Sequence, residues 1–199
     1  MKKVLTGALA ASMLSFSVTA LADLSDVPSG KYTLDKTHGY ITFSYSHLGF
    51  SNPHVGFNSF DVNVDLDSKN PEKSKVNVTI DASSIDSRVE VFNGHLNGEN
   101  FFDTANYDTI TFNSTKITAQ DADTFTVNGD LTIKGITKPV TLVAELNKAA
   151  NHPMRKVPTI GFSGEAKVKR SEWGLDRAVP AVGDEVTIYI EVELPQAKD

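Results

Sequence analysis

The chain has 199 residues, of which 40% are hydrophobic and 22% charged, with 25 acidic residues against 19 basic ones and no cysteine. A net charge of −6 disfavours nucleic acid as a partner, because affinity there rests on Lys and Arg at phosphates. Without cysteine there is no disulfide and no lipid-modified N-terminal thiol, so stability has to come from packing and sheet hydrogen bonds.

Lys2 and Lys3 precede a mostly apolar run from Val4 to Val18, and Ala20-Leu21-Ala22 supplies an A-x-A cleavage signal. Residues 1–22 therefore read as a secretory signal peptide, the run being too short to span a bilayer comfortably. Residues 23–199 are then the mature chain, one domain with 17 basic and 25 acidic side chains, a charge of −8. An exported domain without cysteine fits the bacterial periplasm, and no integral membrane segment is expected in the mature form.

Asp23 to Gly30 is a loose entry segment, Tyr32 to Leu34 a short strand, and Asp35 to Gly39 a turn. From Tyr40 to His47, Ile41, Phe43 and Tyr45 alternate with Thr42, Ser44 and Ser46, the period of a strand with one apolar face. Gly49, Asn52-Pro53 and Gly56 break the pattern between Leu48 and Gly56. Phe60, Val62, Val64 and Leu66 then alternate with Asp61, Asn63, Asp65 and Asp67, and Val76, Val78, Ile80 and Ala82 make the next apolar face.

Ser83 to Tyr107 departs from period two. Val89, Phe92 and Leu96 stand at helix spacing, with Asp86 or Ser87 available to cap the start, which predicts one or two short helical turns over one end of the sheet. Strand returns from Ile110 to Thr118. Two alternating runs follow, Phe125, Val127, Leu131 and Ile133, then Val140, Leu142, Ala144 and Leu146, joined by a turn at Lys134-Gly135. Asn128-Gly129 resembles a hairpin signal, but the flanking register continues, so a bulge or kink is expected there. Lys148 to Pro158 reads as a long loop. Ile160, Phe162, Gly164, Ala166 and Val168 form a face with small residues in it. Another loop, Arg170 to Gly183, holds the only Trp, and Val186, Ile188, Ile190, Val192 and Leu194 complete the set.

Eight or nine one-sided antiparallel strands in one domain either form a sandwich or close on themselves, and closure removes the exposed edges. The expected fold is all-β, an eight-stranded antiparallel barrel with a short helical insert, a size that either fills with its own side chains or holds one small ligand.

Few residue patterns suggest catalysis. His38, His47, His54 and His95 lack ligand spacing and fall across a turn and a loop. Ser163 lacks the second glycine of a nucleophile elbow and lies within a strand pattern. No phosphate loop is present. Aromatic content at strand ends and in the insert is the stronger feature, and it is compatible with a filled core or with a ligand cavity. Parity and strand position point Phe43, Tyr45, Phe60, Phe92, Phe102, Phe112, Leu131 and Phe162 inward, with His38, His47 and Arg170 as candidates for a polar mouth.

Tyr32-Thr33-Leu34-Asp35 with His38, then Ile41-Thr42-Phe43 with His47-Leu48-Gly49, resembles the opening of the YceI-like polyisoprenoid-binding family. Ala82-Ser83-Ser84-Ile85-Asp86, His95-Leu96 and Phe101-Phe102-Asp103 resemble its central motif. Gly129 to Gly135, Lys169-Arg170-Ser171-Glu172-Trp173-Gly174 and Val182-Gly183-Asp184-Glu185-Val186 follow in the family's order across the whole mature chain. Asn93-Gly94 departs from the charged or polar residue the family places before His95. The resemblance implies a lipocalin-like barrel whose apolar tunnel binds an isoprenoid lipid, such as the tail of a quinone or a polyprenol derivative, with no other cofactor. It also implies a periplasmic, non-enzymatic carrier, often a homodimer. The alternatives are a stress-related envelope protein that uses the histidines for a metal site or enzymatic activity, and a structural envelope protein with a packed interior.

Overall fold

The computed structural model describes residues 23–198; the leader expected over residues 1–22 lies outside them. Eleven strands make one antiparallel sheet: β1 Gly30–Thr33, β2 Gly39–His47, β3 His54–Phe57, β4 Phe60–Leu66, β5 Lys75–Asp81, β6 Ile85–Asp86, β7 Thr109–Ala119, β8 Thr124–Ile133, β9 Ile136–Asn151, β10 Pro158–Lys169 and β11 Val182–Pro195. Among the described residues the one α-helix, α1 Glu90–Asn97, stands between β6 and β7.

The pairings reconcile eleven segments with the expected eight-stranded barrel. β7 to β11 pair in sequence, β11 pairs with β2, β2 with β3 and β3 with β6, while β1 pairs with β4, β4 with β5 and β5 with β7. Because every pair is antiparallel, β1 and β2 run the same way, as do β3 and β4, and β5 and β6. Each couple is one long strand interrupted part-way. Tyr32 bridges Gln196, and the Ala197 N–H donates to Lys31 O at 2.8 Å, so β1 also meets the chain just beyond β11.

Of the three interruptions, sequence reading places the first, the Asp35–Gly39 turn, and misses the short segments β3 and β6 beside the other two. Side chains there take over backbone groups that a continuous ladder would have satisfied. In the first, Asp35 accepts from the Thr37 N–H (3.0 Å) and hydroxyl (2.7 Å), while the Asp35 N–H reaches Glu193 O (2.9 Å). In the other two, Ser84 Oγ accepts from the Ser59 N–H at 3.0 Å and donates to Asp81 O at 2.6 Å.

Other boundaries shift as well. Gly56, expected in a loop, lies within β3. β9 extends to Asn151, leaving only 152–157 as the turn into β10. Asn128-Gly129 leaves β8 unbroken, and the register shift falls opposite, in β7 between Ser114 and Lys116. Lys134 (φ 49°) and Gly135 (φ 71°) form the expected two-residue turn.

The expected helical turns prove to be one helix, with no side-chain cap at its start. Val89 is its exposed first flank, and neither Asp86 nor Ser87 caps it. Asn93 reaches back instead, its Oδ1 accepting from the Ser87 N–H (2.7 Å) and hydroxyl (2.6 Å), and its Nδ2 donating to Asp86 at 3.2 Å. Phe92 and Leu96 face the barrel.

Strand direction sorts the connections between two ends. At one end lie the β2–β3 turn, the α1 segment, the β8–β9 hairpin and the β10–β11 loop. At the other lie the N-terminal 3-10 turn Leu24–Asp26 and the β4–β5, β7–β8 and β9–β10 connections. No helix among the described residues is long and apolar enough to cross a membrane.

Candidate functional site: an apolar cavity along the barrel

Alternation alone puts one face of every strand inside. β4 shows it cleanly, with Phe60, Val62, Val64 and Leu66 buried and the residues between them exposed. The interior is nonetheless not filled. It holds a cavity of about 400 Å³, within the range of small-molecule pockets. Inward side chains midway along the barrel, including Phe43, Phe112, Leu142, Phe162 and Ile188, remain half-buried because they face this space. Gly164 and Ala166, opposite Ala144 and Leu142 on β9, keep that wall thin.

The far end is shut by Leu24, Leu66, Ile117 and Leu194, all buried. The exposed lining residues, His47, Arg177 and Ala178, all sit at the other end, which is the mouth. Aromatic side chains cluster on that side of the interior. Phe43 lies 6.2 Å from Phe102 and 6.4 Å from Tyr45 between ring centres, and Phe57 meets Phe102 edge-on at 5.8 Å. Trp173 is fully buried and also lines the cavity, its indole N–H donating to Leu131 O at 3.2 Å.

Nine of the eleven residues singled out from sequence lie against this cavity: Phe43, Tyr45, Phe92, Phe102, Phe112, Leu131, Phe162, His47 and Arg170. Phe60 does not. It points inward but plugs the interruption between β1 and β2, its Cζ 3.2 Å from where a β-carbon on Gly39 would stand. His38 also lies elsewhere, its Nδ1–H donating to Asp35 Oδ2 at 3.0 Å. Asp35 is further bound by the Arg155 guanidinium. Together these partners and Thr37 hold the Asp35 carboxyl well below the usual carboxylate range despite the opposing effect of burial.

His38, Asp35 and Glu193 bring one ligand atom each within 4.8 Å of one another, a grouping not visible in the sequence because Glu193 arrives from β11. The Arg155 guanidinium already supplies the positive charge there. His47, His54 and His95 do not join that group.

Arg170 lines the mouth, but its guanidinium is committed to one loop. Nε donates to Gly183 O (2.8 Å), one terminal nitrogen to Val182 O (2.9 Å), and the other to Leu175 O. Ser171 continues the tie, its N–H and hydroxyl donating to Asp184 at 2.9 and 2.8 Å; these bonds, with the Arg170 charge, lower the Asp184 pKa. Of the two cations that line the cavity, the one that faces outward is Arg177, which makes no ion pair among the described residues. Sequence reasoning missed it because an irregular loop carries no parity. Next to Arg170, burial pushes the Tyr45 hydroxyl up in pKa, against the guanidinium's charge.

Chemically, this site offers hydrocarbon contact over nearly its whole length and a few polar groups at one end. That suits a long apolar chain with a polar head. The comparisons agree with this architecture. The chain is 36% identical to the protein YceI of Escherichia coli over the full length of both. It is similar to the crystal structure of a YceI protein from Campylobacter jejuni, with a TM-score of 0.71 and 29% identity, covering 77% of this chain and 90% of that one. A polyisoprenoid-binding domain from Saccharophagus degradans, implicated in plant cell wall breakdown, shares the fold at a TM-score of 0.65 and 14% identity, covering 83% and 98%. The model of the YceI-like domain matches residues 32–194, from within β1 to Leu194 near the end of β11, and so this chain belongs to the YceI-like family.

Proposed function

We propose that the protein is a non-enzymatic carrier that holds the tail of an isoprenoid lipid, such as a quinone or a polyprenol derivative, and works in the periplasm after removal of residues 1–22. The observation that carries this reading is the elongated apolar cavity of about 400 Å³, open at one end only. Each CH₂ taken from water contributes about 0.8 kcal/mol, so a few isoprene units give tight binding with no ion pair. Ordering a flexible tail offsets part of that gain. The relative from Saccharophagus degradans, described as polyisoprenoid-binding, supports the ligand class. Pairing into a homodimer belongs to the same reading.

Native mass spectrometry of protein purified without detergent tests it. A co-purifying ligand of isoprenoid mass is expected, with exchange for added long-chain quinone and a dimer peak. Protein mass alone, with no uptake of quinone, would refute the carrier function.

A further inference from the structure

An apolar chain held in a closed-ended barrel has to enter and leave through the mouth, and crossing water there would expose it. The distribution of exposed hydrophobic side chains bears on how that is avoided. Ten large hydrophobic residues are exposed among the described residues, and six of them stand at the mouth end: Leu48, Phe50, Val89, Val91 and Tyr107 in its connections, and Ile136 as the first residue of β9. Met154 alone belongs to the connections at the closed end; the other three lie on strand sides.

These six are next to the opening in the chain as well as in topology. Leu48 and Phe50 follow His47, a lining residue, in a turn closed by the Phe50 N–H to His47 O bond (3.0 Å) and the His47–Ser51 bridge. Leu48 (φ 55°) and Gly49 (φ 74°) both take the left-handed conformation, and the turn leaves Phe50 90% exposed. Val91, 72% exposed, precedes Phe92, whose ring lines the cavity from the other face of α1. Ile136 lies just across the hairpin turn from the lining residue Ile133.

We infer that this rim is a docking face for a lipid surface, on which Phe50 and Val91 insert among the acyl chains so that the ligand passes between bilayer and barrel without crossing water. The inference rests on the carrier function proposed above. It goes further in naming the partner and the residues that touch it. The mouth-end connections carry four basic residues (Arg88, Lys134, Arg170, Arg177) against six acidic ones (Glu90, Glu99, Asp103, Asp108, Glu172, Asp176). Attraction to anionic headgroups is therefore not what drives docking. Apolar insertion is, as for an interfacial segment with exposed aromatic and aliphatic side chains.

The test compares the full mature protein with its Phe50→Asp, Val91→Asp double variant, both substitutions being at exposed sites. Flotation with neutral phosphatidylcholine vesicles should retain the wild type, with little change at high salt, and release the variant. Extraction of a long-tailed isoprenoid quinone from those vesicles should slow by about tenfold or more in the variant, the order expected from losing two inserted apolar side chains. Uptake of a short-tailed, water-soluble quinone should be the same for both, showing an intact cavity. Equal extraction rates for the two proteins would overturn the docking face while leaving the carrier function standing. So would a dimer in sedimentation that the double variant breaks, since the rim would then be covered by a second copy. Failure of the wild type to take up the soluble quinone would instead remove the carrier function and the docking face with it.

Discussion

The Phe112 ring occupies the space that a side chain at Gly129 would need. A β-carbon there would stand 2.4 Å from Phe112 Cζ and 2.7 Å from the Asn113 carbonyl oxygen. The first contact could be relieved by rotating the ring, but the second is with backbone. Gly129→Ala therefore has to pry β8 from β7, with a loss of about 1–3 kcal/mol as for other overpacked interiors. Urea unfolding followed by Trp173 fluorescence measures it. Because Phe112 lines the cavity, quinone retention should fall as well.

Arg170 serves the mouth by fixing the loop that surrounds it. Arg170→Lys keeps the charge but a point ammonium cannot reach Leu175, Val182 and Gly183 together. A charge-assisted bond contributes about 1.5–3 kcal/mol, so the exchange should destabilise locally by that order. Hydrogen exchange should quicken at Val182 and Gly183 while amides of β8 and β9 stay protected. Uniform quickening across the barrel would show that Arg170 supports the whole fold instead.

Much of this architecture was legible from alternation, because period two in β4, β8, β9 and β11 assigns each side chain a face without knowledge of the partner strand. It also separated the aromatic lining from the polar exterior. What was not legible depends on partners far apart in the chain. Phe60 has the right parity for the lining, yet the gap beside Gly39 in another strand captures its ring. His38 sits near a strand start, but Arg155, Asp35 and Glu193 gather on the side away from the mouth. The interruptions in β3–β4 and β5–β6 arise from Ser84 competing for backbone groups. Nothing in a local window shows that such competition wins.

Asp35 gives the fold a defined acid response. Its folded pKa is depressed, so its contribution is present above the unfolded value of about 3.9 and is lost as pH falls below that toward the folded value. Asp35→Asn should lower stability at pH 7, since the Arg155 and His38 contacts lose their anion. The difference between the two proteins should narrow steadily below about pH 4. Urea midpoints at pH 7 and pH 3 measure this. A gap that is the same at both values would mean that the carboxylate's charge is not what stabilises the β1–β2 junction.

The thin wall around Ala166 offers a direct measure of how much chain the barrel holds. Ala166 lies between Leu142 and Ile188 in register, and both neighbours are half-buried against the cavity, so a larger side chain at 166 has open space before it. Ala166→Phe should place its ring in the cavity at a modest stability change of about 1–3 kcal/mol. It divides the interior between the mouth and the closed end near Leu24 and Leu194. If the tail runs the length of the barrel, the variant should keep short isoprenoids and lose long ones, a shift that native mass spectrometry across a series of tail lengths would read. An unchanged preference for length would mean that the tail stops short of Ala166, in the part of the cavity bounded by Phe102 and Tyr45.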